Sequence, residues 1–270
     1  MLHGWIPPGR FLPYLTTAEI ASLPDKANTV VVQPVAAIEQ HGPHLPIAVD
    51  TVITCGVLGR ALERLPASVP CYALPPLCYG KSNEHAGFPG TITLTTQTLF
   101  ATLMEVAESL YCSGFRKIAL VNGHGGQPQV LELAARDARE RRRDLSVFPL
   151  FIWRVPHCAA ELFPARELEL GIHAGAAETA LLMALLPETV RMERAVAEYP
   201  AGLPADGLLS MEGALPFAWL TADLTRSGTL GDPTLATPEK GARLLDSLAE
   251  GWARTLADVH RFVQPAASRT

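Results

Sequence analysis

Three short stretches of this sequence carry imidazoles, two of them with carboxylates close by. The first is Ile38-Glu39-Gln40-His41-Gly42-Pro43-His44, with Asp50 soon after. The second is Asn122-Gly123-His124-Gly125-Gly126, and the third is His173-Ala174-Gly175-Ala176-Ala177-Glu178. Imidazole plus carboxylate is a donor set for Zn²⁺ or Mn²⁺ at a hydrolytic centre. Glu39 and His41 are two residues apart, so on extended backbone they face the same side. Asp50 can return a carboxylate to the same place, and a carboxylate bridging two ions about 3.5–4 Å apart is the usual two-metal arrangement. His124 lies between glycines, where backbone can approach closely. Each residue also has a plain reading. Asp50 could cap a helix, Glu178 could be a first-turn carboxylate favoured by the helix dipole, His124 could be a turn residue, and Glu39 and Gln40 could be loop polars. Acids and imidazoles at successive strand ends favour a site over all of these together.

The elements that must position them alternate. Residues 29–35, 69–74, 117–121 and 145–151 read as strands. Residues 51–65, 96–111, 128–142, 176–186 and 237–262 read as helices, with Pro128 and Pro238 in first turns and Pro187 as a stop. This alternation predicts an α/β fold, a three-layer sandwich with a mostly parallel sheet flanked by helices on both faces. In such open sheets, ligands bind outside the carboxyl ends of the strands, and the first two clusters follow strands there. Residues 192–235 are rich in Pro and Gly and weakly periodic, a long excursion supporting either a site or a subunit contact.

Composition narrows the class. The 270 residues carry 18% charged side chains and a net charge of −5, with a mean hydropathy of +0.17. Disorder needs the opposite balance, and a nucleic-acid binder is expected to be basic. The run Arg139-Glu140-Arg141-Arg142-Arg143 reads as a solvated helix end. The 21 glycines and 23 prolines exceed the usual combined level of about 12%. No apolar run reaches membrane-spanning length, and no signal peptide is visible. Cys55, Cys71, Cys78, Cys112 and Cys158 are scattered without a C-x-x-C pair, which suggests reduced core thiols in a cytoplasmic protein.

Pro34 to Pro46 with Asp50, Glu84 to Thr91, Asn122 to Gly126, His173 to Thr179 and Gly228 to Thr237 resemble, in order, five motifs of the creatininase (creatinine amidohydrolase) family. The resemblance implies one domain over residues 1–270, two divalent ions (Zn or Mn, with Fe a further option) and hydrolysis of a C–N amide bond in a small molecule. It also implies a homo-oligomer, a hexamer built as a trimer of dimers, and no nucleic-acid or membrane partner. By motif position Glu39, His41, Asp50 and His124 match metal ligands, with Asp50 the bridge. His173 matches a histidine that serves as catalytic proton donor or contacts substrate, and Ser82, His85 and Gly125 fall where substrate is bound. Creatininases carry a Tyr and a ligating Glu directly after the third-motif histidine, where this chain has Gly125 and Gly126. Glu178 is the residue expected to fill that gap and to share in catalysis. A Trp-Asp pair before the fourth motif is replaced by Glu169-Leu170-Gly171, which removes the aromatic contact to a flat ring. The chain is more similar to a Gly-Gly branch that includes formamide hydrolases and a peptidase trimming a peptide-derived redox cofactor.

The expected chemistry follows. Glu39, Asp50 and His124 would hold one ion, and His41, Asp50 and Glu178 the other. Water between them would attack the carbonyl once its pKa falls toward 7 from about 15.7, and His173 would protonate the departing nitrogen. His44 and His85 would support this set from outside. A peptidase and a non-catalytic oligomer are the rival readings. A phosphate loop is not, because the glycine spacing of Asn122 to Gly126 fits neither standard fingerprint.

Overall fold

The computed structural model describes residues 1–201 and 207–265. After a short helix α1 (Thr17–Ser22), the strands β1 (Val30–Val35), β2 (Cys71–Ala73), β3 (Lys117–Asn122) and β4 (Ser146–Phe151) form one sheet in the order β2-β1-β3-β4. Every pairing is parallel. Parallel neighbours cannot be joined by a tight turn, so each crossover carries a helix. These are α2 (Val49–Arg64), α3 (Thr96–Cys112) and α4 (Pro128–Arg141). Beyond β4 come α5 (Ala159–Leu162), α6 (Ala165–Leu170), α7 (Ala176–Leu185), α8 (Thr221–Leu224) and α9 (Pro238–Arg261).

Side chains alternate along a strand, and this splits the core in two. Val30 and Val32 of β1 and Ala119 and Val121 of β3 join Ile53, Val57 and Leu58 of α2, Leu181 of α7, and Leu245, Leu248 and Trp252 of α9. Val31, Val35, Ile118 and Leu120 face the other way, onto Leu99 and Leu103 of α3 and Val130 and Leu131 of α4. The result is the three-layer sandwich expected from the alternation of elements. Trp252 is fully buried, and its indole N–H donates to the Ile152 carbonyl at 2.8 Å.

Three local expectations change. The second helix begins at Val49, with Ala48 as its cap residue, so Asp50 is inside the first turn and does not cap it. Residues 69–74 hold a strand of only three residues. The cysteines do not share one environment: Cys55 and Cys71 are buried, with burial pushing both thiols up to about 12, but Cys78 and Cys158 are half-buried and Cys112 is exposed. Among the described residues, no helix is long and apolar enough to cross a membrane.

The described part of the 192–235 excursion returns to the sheet edge. Leu230 and His173 exchange backbone hydrogen bonds at 2.8 and 3.2 Å, and Glu198 pairs in the same way with Gly231. The Glu198 carboxylate accepts from the Thr225 and Ser227 hydroxyls and from the Arg226 and Ser227 amides, at 2.6 to 2.9 Å. Burial opposes its ionisation, yet these donors outweigh burial and pull Glu198 down to about 2.

Two expectations follow. Leu248→Ala is expected to lower stability by about 2–5 kcal/mol in urea unfolding; a loss within about 0.5 kcal/mol would contradict its core position. Because the folded pKa of Glu198 lies below the ordinary value of 4.5, its contribution is complete above that value and is lost as pH falls toward about 2. The stability gap between wild type and Glu198→Gln is therefore expected to be largest near neutrality and to close across that window. A gap independent of pH would contradict the assignment.

Candidate metal centre

The carboxyl ends of β1 and β3 lie side by side, and Gly123 N–H donates to the Val35 carbonyl at 2.8 Å. Beyond β1 the chain reaches Glu39, whose N–H donates to the Ile47 carbonyl at 3.0 Å. Beyond β3 it turns at once into His124. The Asn122 side chain locks that turn by donating to the His124 carbonyl and accepting its N–H. Gln127 donates to Asn122 Oδ1 and to the Ala36 carbonyl, and accepts from Lys81 N–H. The two strand exits and the loop around residue 81 are thereby tied together. Gly123 is required by close approach: a Cβ there would lie 1.9 Å from Thr54 Oγ1 and 3.1 Å from the Asp50 carbonyl, both on α2. Its absence lets the helix carrying Asp50 lie against the end of β3.

Three imidazoles converge with the same polarity. His41 Nδ1 sits 3.2 Å from the Glu39 carbonyl, His124 Nε2 3.0 Å from the Lys81 carbonyl, and His173 Nε2 2.7 Å from the Gln40 carbonyl. A carbonyl only accepts, so each of these nitrogens carries the hydrogen. In the neutral rings the other nitrogen is then a lone pair pointing inward. His41 Nε2 faces Asp50 Oδ1 at 3.5 Å and Glu178 Oε2 at 3.8 Å. His124 Nδ1 faces Glu39 Oε1 at 3.2 Å and Asp50 Oδ2 at 3.5 Å. His173 Nδ1 lies 3.8 Å from Glu39 Oε1. The two oxygens of Asp50 thus address two different rings.

The fit to a metal can be tested on atoms left over. Among the described residues, Glu39 Oε2, His41 Nε2 and Asp50 Oδ2 are buried and find no hydrogen-bond partner. Uncompensated buried polar atoms are costly, and these three belong to the Glu39–His41–Asp50 group, whose donor atoms lie within 4.8 Å of one another. The charges point the same way. Burial raises Asp50, with Glu39 adding to the rise, and pushes Glu178 up to about 7. Burial opposes charge on His41, but Asp50 and the other acids overcome it and raise the ring to about 9. The same contest drives His124 up, with Glu39 the chief partner. Buried acids need positive charge close by; protons on these rings supply it, and so would a divalent cation that displaces those protons. The donors present fit such an ion.

Every residue singled out in the sequence can be placed. Glu39, His41, Asp50 and His124 come together, and Glu178 reaches His41. The plain reading of Glu178 is also partly realised, since its Oε2 accepts Ala174 N–H at 2.6 Å in the first turn of α7. His44 stands outside the group, with Nε2 3.0 Å from Thr179 Oγ1. His85 is nearer the donors than a pocket residue need be. Its Nδ1 is 2.9 Å from Gln40 Nε2 and 2.8 Å from Thr221 Oγ1, while its Nε2 is 3.2 Å from Glu39 Oε1. Because Gly42 N–H donates to Gln40 Oε1, the Gln40 amide presents its N–H to His85, which donates in turn to Glu39. Ser82 is fully buried, 3.4 Å from His124 Nε2, and Gly125 is exposed. Gln40, Glu84 and Thr221 are participants that the sequence reading does not single out. For Gln40, a signal existed in its place between Glu39 and His41.

Gly123→Ala is expected to lower stability by about 1–3 kcal/mol through the clash with Thr54. Thr54→Ala in the same chain should recover part of this loss in denaturant titrations. Equal stability of Gly123→Ala and wild type would remove the steric argument.

Comparison with known proteins agrees with this geometry. The family model described as creatinine amidohydrolase matches residues 13–256. A mycofactocin precursor peptide peptidase of Mycolicibacterium smegmatis is 34% identical over 226 residues, covering 83% of each chain. A crystal structure of creatinine amidohydrolase superposes with a TM-score of 0.79 at 29% identity, over 94% of this chain and 99% of that one. A solved structure described as "Creatininase Mn" superposes at 0.76 with 29% identity, over 92% and 98%. With the family model spanning most of the chain and the fold shared end to end, this protein belongs to the creatininase family.

Proposed function

We propose that this chain is a metal-dependent hydrolase that cleaves the C–N bond of an amide. The observation that carries the proposal is the Glu39–His41–Asp50 group, whose donor atoms lie within 4.8 Å of one another and whose Glu39 Oε2, His41 Nε2 and Asp50 Oδ2 are buried without hydrogen-bond partners. Glu39, Asp50 and His124 would hold one ion, and His41, Asp50 and Glu178 a second. Zn²⁺ and Mn²⁺ both suit this donor set. Such ions, when bound, supply Lewis-acid polarisation of a carbonyl and a water activated near neutral pH.

The chain's own residues do the rest. His85, aligned by Gln40 and Thr221, donates to Glu39 Oε1 and leaves Oε2 without a hydrogen-bond partner. His173 is held through Nε2–H on the Gln40 carbonyl, so Nδ1 is the atom that can take up a proton. Burial, with His41 and His85 adding to it, keeps this ring well below the usual imidazole range. A proton taken at Nδ1 is therefore readily passed on, which suits delivery to the departing nitrogen.

Two substrate classes remain, and we place a short peptide first. The relative from M. smegmatis is named a peptide peptidase. The stretch just before His173, Glu169-Leu170-Gly171, also carries no aromatic side chain to clamp a flat ring. A small cyclic amide or formamide is the second reading, supported by the likeness to creatinine amidohydrolase.

Exhaustive treatment with a chelator is expected to abolish hydrolysis of synthetic peptides, followed by mass spectrometry, and added Zn²⁺ or Mn²⁺ to restore it. Asp50→Asn and His124→Ala are expected to purify with reduced metal. Full hydrolysis after metal removal, or undiminished metal in both variants, would overturn the proposal. Cleavage of creatinine but of no peptide would reverse the order of the two substrates.

A further inference from the structure

The turn that carries His85 also carries Glu84, and Glu84 has no role so far. The turn is a single one, Asn83–His85. From it His85 reaches one face of the centre and supports Glu39. Glu84 reaches the outer edge of His124, with Oε1 3.0 Å from Nε2. That nitrogen is not the one that faces Glu39 and Asp50, so Glu84 meets the ring from its other side, although Glu39, Glu84 and His124 each offer a donor atom within 4.8 Å of the others. Its side chain is only 12% exposed.

The space for this carboxylate is made by Gly126. A Cβ at position 126 would lie 1.6 Å from Glu84 Oε1 and 2.6 Å from His124 Nε2. No side chain can start there without expelling Glu84 from its place. A glycine two residues after a histidine reads as loop flexibility, but here the close approach of another residue's carboxylate requires it.

We infer that Glu84 is a positioning residue for the metal centre, and that Gly126 is the cleft that admits it. The carboxylate shares the Nε2–H of His124 with the Lys81 carbonyl. It fixes the tautomer that leaves Nδ1 as the lone pair toward Glu39 and Asp50, and its negative charge raises the donor strength of that nitrogen. The inference rests on the metal-dependent reading above and adds a residue to it.

The test uses Co²⁺ added to chelator-stripped full-length protein, followed by its visible absorption and by competition with a chromophoric chelator. Wild type is expected to take two ions. Glu84→Ala is expected to bind one of the two about 10–100-fold more weakly, with a changed Co²⁺ spectrum, and Glu84→Gln to fall between because it retains an oxygen acceptor without the charge. The thermal midpoint of metal-free Glu84→Ala should stay within a few degrees of wild type; a merely structural role would lower it and leave the spectrum unchanged. Gly126→Ala should weaken the same ion, because its Cβ would displace the carboxylate and crowd the His124 ring. Wild-type affinity and spectrum in Glu84→Ala would overturn the inference while leaving the proposed function intact. Failure of the wild type to bind Co²⁺ would overturn both.

Discussion

Glu39, Asp50 and Glu178 are enclosed carboxylates gathered around one imidazole, His41, and the structure is arranged around that fact. Like charges held this close repel, and burial removes the water that would screen them. The fold answers with imidazoles brought in from three different chain segments, each turned so that one nitrogen faces the acids. Neither set makes sense alone. The acids without the rings would be uncompensated, and the rings without the acids would present lone pairs to an apolar wall.

Bringing these segments together is the work of the sheet. Adjacent β1 and β3 deliver Glu39 and His124 to the same edge, and α2 crosses back along the sheet with Asp50 in its first turn. The described part of the 192–235 excursion closes the far side by pairing Leu230 with His173. The apolar layers therefore serve the chemistry by setting register, because each strand end is placed by packing residues far from the donors.

Much of this was legible in the sequence. β-branched runs ending in polar motifs marked both the strands and the donors, and the long helices followed from their apolar spacing. The short helices α1, α5 and α6 were not legible, since four to six residues are too few for a period to register. Asp50 looked like a cap until the helix proved to start two residues earlier, at Val49. Glu84 stood at the head of the second motif, but its contact was hidden for another reason. Its partner lies forty residues away in the chain, and the trace of the contact itself is a missing side chain at Gly126. Contacts made through an absence carry no residue type to notice.

The outer anchors of the three rings share a property. Each ring has a main-chain carbonyl among them, that of Glu39, Gln40 or Lys81, and at His124 the Glu84 carboxylate meets the same nitrogen. A point mutation can delete a carboxylate or an amide side chain, but it cannot delete a carbonyl of the backbone. Part of the orientation of these imidazoles is thus insulated from sequence drift as long as the backbone path holds. Loss of a side-chain anchor weakens the hold on a ring and leaves its backbone partner in place, so a chain of this kind can vary what it accepts while the rings keep one fixed acceptor each.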